Sequence, residues 1–140
     1  SQADRAYFGE KDYQQLQVIR RMARDLDIPT EIIGAPTVRE HDGLAMSSRN
    51  RYLSEDERPR AAKLFSAISD IARATAEGAD PAPLCDAAAR QLTEAGFREV
   101  DYVTVRDAKT LEQYRCSEGP GRVLAAAWLG KARLIDNVAV

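Results

Sequence analysis

Histidine is nearly absent from this chain: His41 is the single one among 140 residues. Cysteine is almost as scarce, with only Cys85 and Cys116 and no CxxC spacing. A structural zinc site takes about four His or Cys ligands, and a nucleophilic triad needs a placed histidine, so both chemistries are poorly supplied. The same scarcity fits a reduced, cytosolic compartment, with Cys85 as a small core residue of an Ala-rich helix and Cys116 in a turn-rich segment. Long hydrophobic runs are missing too. The most apolar stretch, Val123 to Leu129, is strand-sized and holds three alanines, so no membrane span and no secretory leader are expected. Nor is there a basic excess. Twenty Lys and Arg stand against 22 Asp and Glu, for a net charge of −2, which argues against a general nucleic-acid binder but leaves room for a local basic site. Aromatic residues make up 6%, with Trp128 the lone tryptophan, read here as core together with the apolar strands around it.

What is present suffices for one packed domain, or a small domain with part of another. Residues are 44% hydrophobic and 30% charged, an ordinary globular balance. Arg5-Ala6-Tyr7-Phe8 followed by Gly9 predicts a short strand entering a tight turn. From Asp12 a helix follows, with Leu16, Ile19, Met22, Ala23 and Leu26 at helical spacing on its buried face. Pro29 ends it, and Glu31-Ile32-Ile33-Gly34 predicts a buried strand. Strand, helix and strand in this order form a βαβ unit with parallel strands. Arg20, Arg21 and Arg24 lie on a solvated face of its helix.

Beyond Asp42 the pattern changes. Ser54 and Glu57 form a capping box, opening a helix that buries Ala61, Leu64, Ile68, Ile71, Ala72 and Thr75 and stops near Gly78. A further helix has Asp80 as cap, Pro81 at its first position, Leu84, Ala88, Leu92 and Ala95 inward, and Gly96 as its stop. The alanine faces suit close antiparallel packing of the two. Val100 to Val105 predicts a strand whose alternation slips phase, the mark of a bulge or of burial on both faces. Val123 to Leu129 and Ala132 to Val140 flank Gly130-Lys131, a two-residue hairpin loop. The expected fold is therefore α/β: a terminal βαβ piece of a larger α/β domain, then a small α+β unit of two helices and a three-stranded, partly antiparallel sheet.

Two polar clusters carry chemistry. Phe8-Gly9-Glu10-Lys11-Asp12-Tyr13-Gln14-Gln15 lies where the first strand meets the helix, the crevice where open α/β sheets bind ligands. Helix N–H groups there favour an anion. Gly9 lets backbone approach closely, Lys11 reaches a phosphate, and Asp12 accepts from sugar hydroxyls or simply caps the helix. The second cluster is Asp42-Gly43-Leu44-Ala45-Met46-Ser47-Ser48-Arg49-Asn50-Arg51. Adjacent hydroxyls and guanidinium forks are suited to phosphate oxygens, although Ser47 or Ser48 also suits a helix cap. His41 is read as a solvated loop residue.

These segments, FGEKDYQQL, PTVREHDGLAMSSRNRYLS and AAWLGKARLIDN, make the chain resemble the pantothenate synthetase family from about Ala6 to Val138. The resemblance implies a fold similar to class I aminoacyl-tRNA synthetases, with residues 1–41 the last βαβ of a Rossmann-type domain and 42–140 a lid domain opening on a KMSKS-like loop. It implies an AMP-forming ligase joining pantoate to β-alanine through pantoyl adenylate, with ATP and Mg2+, the ion held mainly through the nucleotide. Lys11, Ser47, Ser48 and Arg49 would act on the phosphates, Gly9 and Asp12 on the ribose, Val38 and Met46 on the adenine, and Gln15 on pantoate. No protein-held metal, nucleic acid or membrane is implied. The family's His-x-Gly-His motif, second pantoate-binding Gln, acidic metal-side residues and dimer surface have no counterpart here. The chain is thus expected to be a C-terminal half, inactive alone. A related nucleotidyltransferase, or an isolated non-catalytic lid, are the alternatives.

Overall fold

The computed structural model describes residues 3–115 and 119–140; Cys116 lies outside them. Strand β1 (Arg5–Gly9), helix α1 (Tyr13–Asp25) and strand β2 (Glu31–Ala35) form the expected unit. β1 and β2 pair in parallel with Tyr7 opposite Ile33. Asp12 caps α1 by accepting from the Gln15 N–H at 3.3 Å. A Cβ on Gly34 would sit 3.0 Å from Leu16 Cδ2, so the absent side chain lets α1 lie close on the strand pair. The buried face of α1 is narrower than the spacing predicts. Tyr13, Leu16 and Ala23 are buried, but Met22 and Leu26 are exposed, and Ile32 and Ile33 are only half-buried. Two five-residue strands cover one narrow stripe of a helix, so the flanks of the apolar arc find nothing to pack on.

A 3₁₀ turn (Ser48–Tyr52) leads into helices α2 (Glu57–Ala61), α3 (Lys63–Ala76) and α4 (Pro81–Glu94). The capping box closes as expected: Glu57 N–H donates to Ser54 Oγ at 3.2 Å and Ser54 N–H to Glu57 Oε2 at 2.9 Å. Where the sequence suggests one helix, there are two. Ala62, with ψ −20, has a 3₁₀-like conformation that interrupts the α-helical ladder. Asp80 caps α4, and Gly96 at φ +100 turns the chain out of it.

Strands β3 (Glu99–Asp107), β4 (Gly121–Leu129) and β5 (Ala132–Ala139) form an entirely antiparallel sheet in that order. Alternation gives it two distinct faces. Val105, Val123, Ala125, Ala127, Leu129, Ala132 and Leu134 meet Leu64, Ile68, Ala88 and Leu92 of α3 and α4 in one core. The opposite face presents Tyr102, Arg122, Leu124, Ala126, Trp128, Arg133, Ile135 and Asn137, in register across the strands. Trp128 therefore belongs to this second face rather than to the core. It is partly exposed, with the Arg98 guanidinium 4.6 Å from its ring centroid. The register shift between Val100 and Tyr102 is the bulge that the broken alternation predicts, with Asp101 the extra residue.

Gly43 is required by its position. Gly43 has φ +91, and a Cβ there would collide with the Phe65 ring. Gly43→Ala is expected to cost about 2–4 kcal/mol through strain and overpacking, read as a lowered urea midpoint.

Candidate functional site

A cavity of about 440 Å³ opens between the βαβ unit and the second face of the antiparallel sheet. It is lined by Gly9, Lys11, Asp12, Gln15, Ser47, Arg49, Arg133 and Ile135. The two polar clusters, separate in sequence, thus meet around one space. A Cβ on Gly9 would touch nothing within 4 Å, so the bare backbone at the end of β1 faces open volume. Asp12 uses one carboxylate oxygen as the α1 cap and keeps the other for a partner. Gln15, one helical turn on, reaches the same space. Ser47 accepts from the Arg49 N–H at 3.2 Å, which settles which serine caps the 3₁₀ turn. Ser48 begins that turn and is exposed, outside the cavity lining. Val38 and Met46, 65% and 48% exposed, also stand outside it. The Val38 carbonyl already accepts from the Met46 N–H at 2.9 Å. His41 is exposed.

What holds the two sides together is a set of buried polar pins. Asn137 Nδ2 donates to the carbonyls of Glu10 at 2.8 Å and Lys11 at 2.9 Å, while its Oδ1 accepts from Arg122 Nε at 2.9 Å. The last strand therefore grips the turn that carries Lys11. Beside it, Asp136 binds Arg39 through two hydrogen bonds of 2.6 and 2.9 Å. Arg39 also donates to the Gly43 carbonyl at 3.0 Å and lies over Phe65 at 4.1 Å, fixing the start of the second cluster. Tyr13 OH donates to the Ala108 carbonyl at 2.6 Å, and Arg122 covers the Tyr13 ring at 4.3 Å. Farther out, Arg58 grips Asp42 at 2.6 and 3.2 Å and holds its carboxyl below the usual value. Any stability from that pair is therefore full above the unfolded value of 3.8 and lost as the pH falls through the depressed one.

The sequence reading indicates none of Asn137, Asp136, Arg122 or Arg39 as a site-shaping residue. A signal was available. Asp136 and Asn137 are consecutive polar residues between Ile135 and Val138 in a strand, so one must face each side of the sheet, and both are 4% exposed.

The electrostatics favour an anion. Among the described residues, Lys11, Arg49 and Arg133 supply three cations to the lining against the single carboxylate of Asp12. Burial pushes the Lys11 pKa below 10.5, opposed by Asp136 and assisted by Arg49. A half-desolvated ammonium beside a guanidinium is poised to gain from a polyphosphate, whose charge neutralises both. No group of three metal-ligating side chains exists among the described residues.

A profile of the pantoate-beta-alanine ligase family matches residues 1–139. The chain belongs to this family. It is 60% identical over 148 residues to the pantothenate synthetase of Caulobacter vibrioides, covering 100% of this chain and 50% of the relative. That of Dinoroseobacter shibae is 55% identical over 140 residues, covering 99% and 50%. Thus the chain spans about half the length of the curated relatives it matches. Among solved structures, pantothenate synthetase from Thermus thermophilus has a TM-score of 0.82 at 44% identity, covering 96% of this chain and 49% of that one. The Francisella tularensis pantoate-beta-alanine ligase, complexed with beta-gamma ATP and beta-alanine, has a TM-score of 0.69 at 28% identity, covering 96% and 43%. These similarities bear out the α/β fold class and the family resemblance. No helix among the described residues is long and apolar enough to cross a membrane.

Proposed function

We propose that this chain forms the nucleotide-contacting part of a ligase that joins pantoate to β-alanine at the expense of ATP. The observation that carries this reading is the single cavity shared by Gly9, Lys11, Asp12, Gln15, Ser47 and Arg49. In the first step a pantoate carboxylate oxygen attacks the α-phosphorus of ATP, and the bond to the bridging oxygen breaks to release pyrophosphate. In the second, the β-alanine amine attacks the acyl carbon of pantoyl adenylate and AMP leaves. Both steps need placement and charge neutralisation more than a protein acid or base. Lys11, Arg49 and the Ser47 and Ser48 hydroxyls serve the phosphates, with Ser48 swinging inward from its exposed position. Gly9 and Asp12 meet the ribose, and Gln15 the pantoate. Val38 and Met46 border the adenine from the rim. Mg2+ does not fit as a protein-held ion here, since among the described residues Asp12 is the only carboxylate lining the cavity; it would be held through the nucleotide phosphates and would supply charge neutralisation there.

We propose too that the exposed Tyr7, Val18, Met22, Leu26 and Ile28 pack against the portion of the relatives that this chain does not span. In that reading these 140 residues do not turn over alone, and the complete enzyme is a cytoplasmic homodimer. The test is an assay of AMP release with pantoate, β-alanine and Mg·ATP. The full-length enzyme should form AMP and one new amide in equal amounts. A dinucleotide-like product instead, or turnover by this chain alone, contradicts the proposal.

The lowered Lys11 pKa gives a pH signature. Protonated Lys11 binds phosphate, so Mg·ATP affinity is expected to fall as the pH rises through a value below 10.5. Stability of the free chain should move the other way. Burial disfavours the ammonium in the fold, and that cost disappears as Lys11 loses its proton. Calorimetric binding and thermal melts across the same alkaline window check both signs; Lys11→Met should flatten both.

A further inference from the structure

Among the described residues, Arg133 is the one cation lining the cavity that belongs to neither polar cluster. It comes from β5, on the sheet face that also carries Ile135 and Asn137. Its guanidinium is not loose. Nε donates to Asp101 Oδ2 at 2.7 Å, and the Tyr102 hydroxyl takes part in the same arrangement. Asp101 is the extra residue of the β3 bulge. Without that bulge, the alternation would send Asp101 and Tyr102 to opposite faces; with it, both serve Arg133. Bulges that re-aim side chains recur beside functional sites. Arg133 also shares a second, water-sized void of about 10 Å³ with Lys11, Ser47 and Asp136, a void that neither Gly9 nor Asp12 borders. That sets it beside Lys11 and Ser47, two of the residues assigned above to the phosphates.

We propose that Arg133 is a further binding residue of this site, held by the β3 bulge to contact the β- and γ-phosphates of ATP and the pyrophosphate that departs. The inference rests on the nucleotide reading above and adds a contact from the hairpin to it. A planar fork anchored through Nε on Asp101, with the Tyr102 hydroxyl beside it, still offers terminal N–H donors to phosphate oxygens. The contact strengthens as pyrophosphate separates, because negative charge accumulates on the bridging oxygen that leaves the α-phosphorus.

The test titrates Mg·ATP, AMP and inorganic pyrophosphate separately into this chain by calorimetry. Arg133→Ala should weaken ATP and pyrophosphate by about ten- to a hundredfold and AMP by less than about threefold. Arg133→Lys, which keeps charge but loses the fork, should fall between. Asp101→Asn should weaken pyrophosphate by a smaller factor, since it leaves the guanidinium present but unaimed. Amide spectra of each variant identify any that fails to fold, and Arg133→Met then replaces Arg133→Ala. Pyrophosphate affinity within about twofold of wild type in a folded Arg133 variant overturns the inference alone. An equal loss for ATP and AMP also overturns it. If the wild-type chain binds neither ATP nor pyrophosphate, the nucleotide reading falls with it.

Discussion

Replacing Lys11 with alanine in the full-length ligase is expected to lower turnover by about 10²–10³, the scale of removing one preorganised charge donor from a transition state. The expectation follows from position. Lys11 lines the cavity at the end of β1, its backbone carbonyl is gripped by Asn137 at 2.9 Å, and its ammonium lies among Asp136, Arg49 and Asp12. Because the backbone is fixed independently of the side chain, truncation should remove the charge without moving the turn. The loss should therefore appear mainly in kcat, with the β-alanine KM changed little. Steady-state AMP release at saturating substrates measures it. A drop smaller than about tenfold would sink the assignment of Lys11 to the phosphates.

The second large effect concerns the fold. Arg39→Met is expected to cost about 3–5 kcal/mol, because it leaves the Asp136 carboxylate buried without its partner. That side chain is 3% exposed and is held at 2.6 and 2.9 Å by the Arg39 fork. The same substitution frees the Gly43 carbonyl, so the segment carrying Ser47 should loosen as well. Removing both charges should recover most of the loss: Arg39→Met with Asp136→Leu replaces an ion pair by apolar volume, which is often neutral. Denaturant unfolding of the two single variants and the double variant measures the coupling. If the double variant is no more stable than Arg39→Met alone, the buried pair is not what links these elements.

Local features of this chain are legible because their causes are local. Caps at Asp12, Ser54 and Asp80, the turn at Gly130-Lys131 and the phase slip before Tyr102 each follow from a few adjacent residues. Apolar periodicity places the helices, and the motif-bearing clusters fall where strand ends meet helix starts. The misses have a different origin. Met22 and Leu26 have the right spacing for burial, yet periodicity states only which side is apolar, not whether anything covers it. Residue type assigns Trp128 to the core, whereas strand parity sets it on the cavity side of the sheet beside Arg98. The division of α2 from α3 at Ala62 turns on a change in ψ that no neighbouring residue announces. Least legible are the pins. Asn137 meets Glu10 across 127 positions and Arg39 meets Asp136 across 97, and no local pattern pairs residues so far apart. Parity along Arg133, Ile135 and Asn137 does place all three on one face, which is enough to nominate Arg133 once the hairpin register is known.

The account depends most on the two polar clusters forming one nucleotide site. Amide spectra of this chain recorded during a Mg·ATP titration test that directly. The expected result is a set of shifts confined to residues 9–15, 38–49 and the β5 positions around Arg133, all saturating with one affinity. Shifts in one cluster without the other, two unrelated affinities, or perturbation centred elsewhere on the sheet would contradict it.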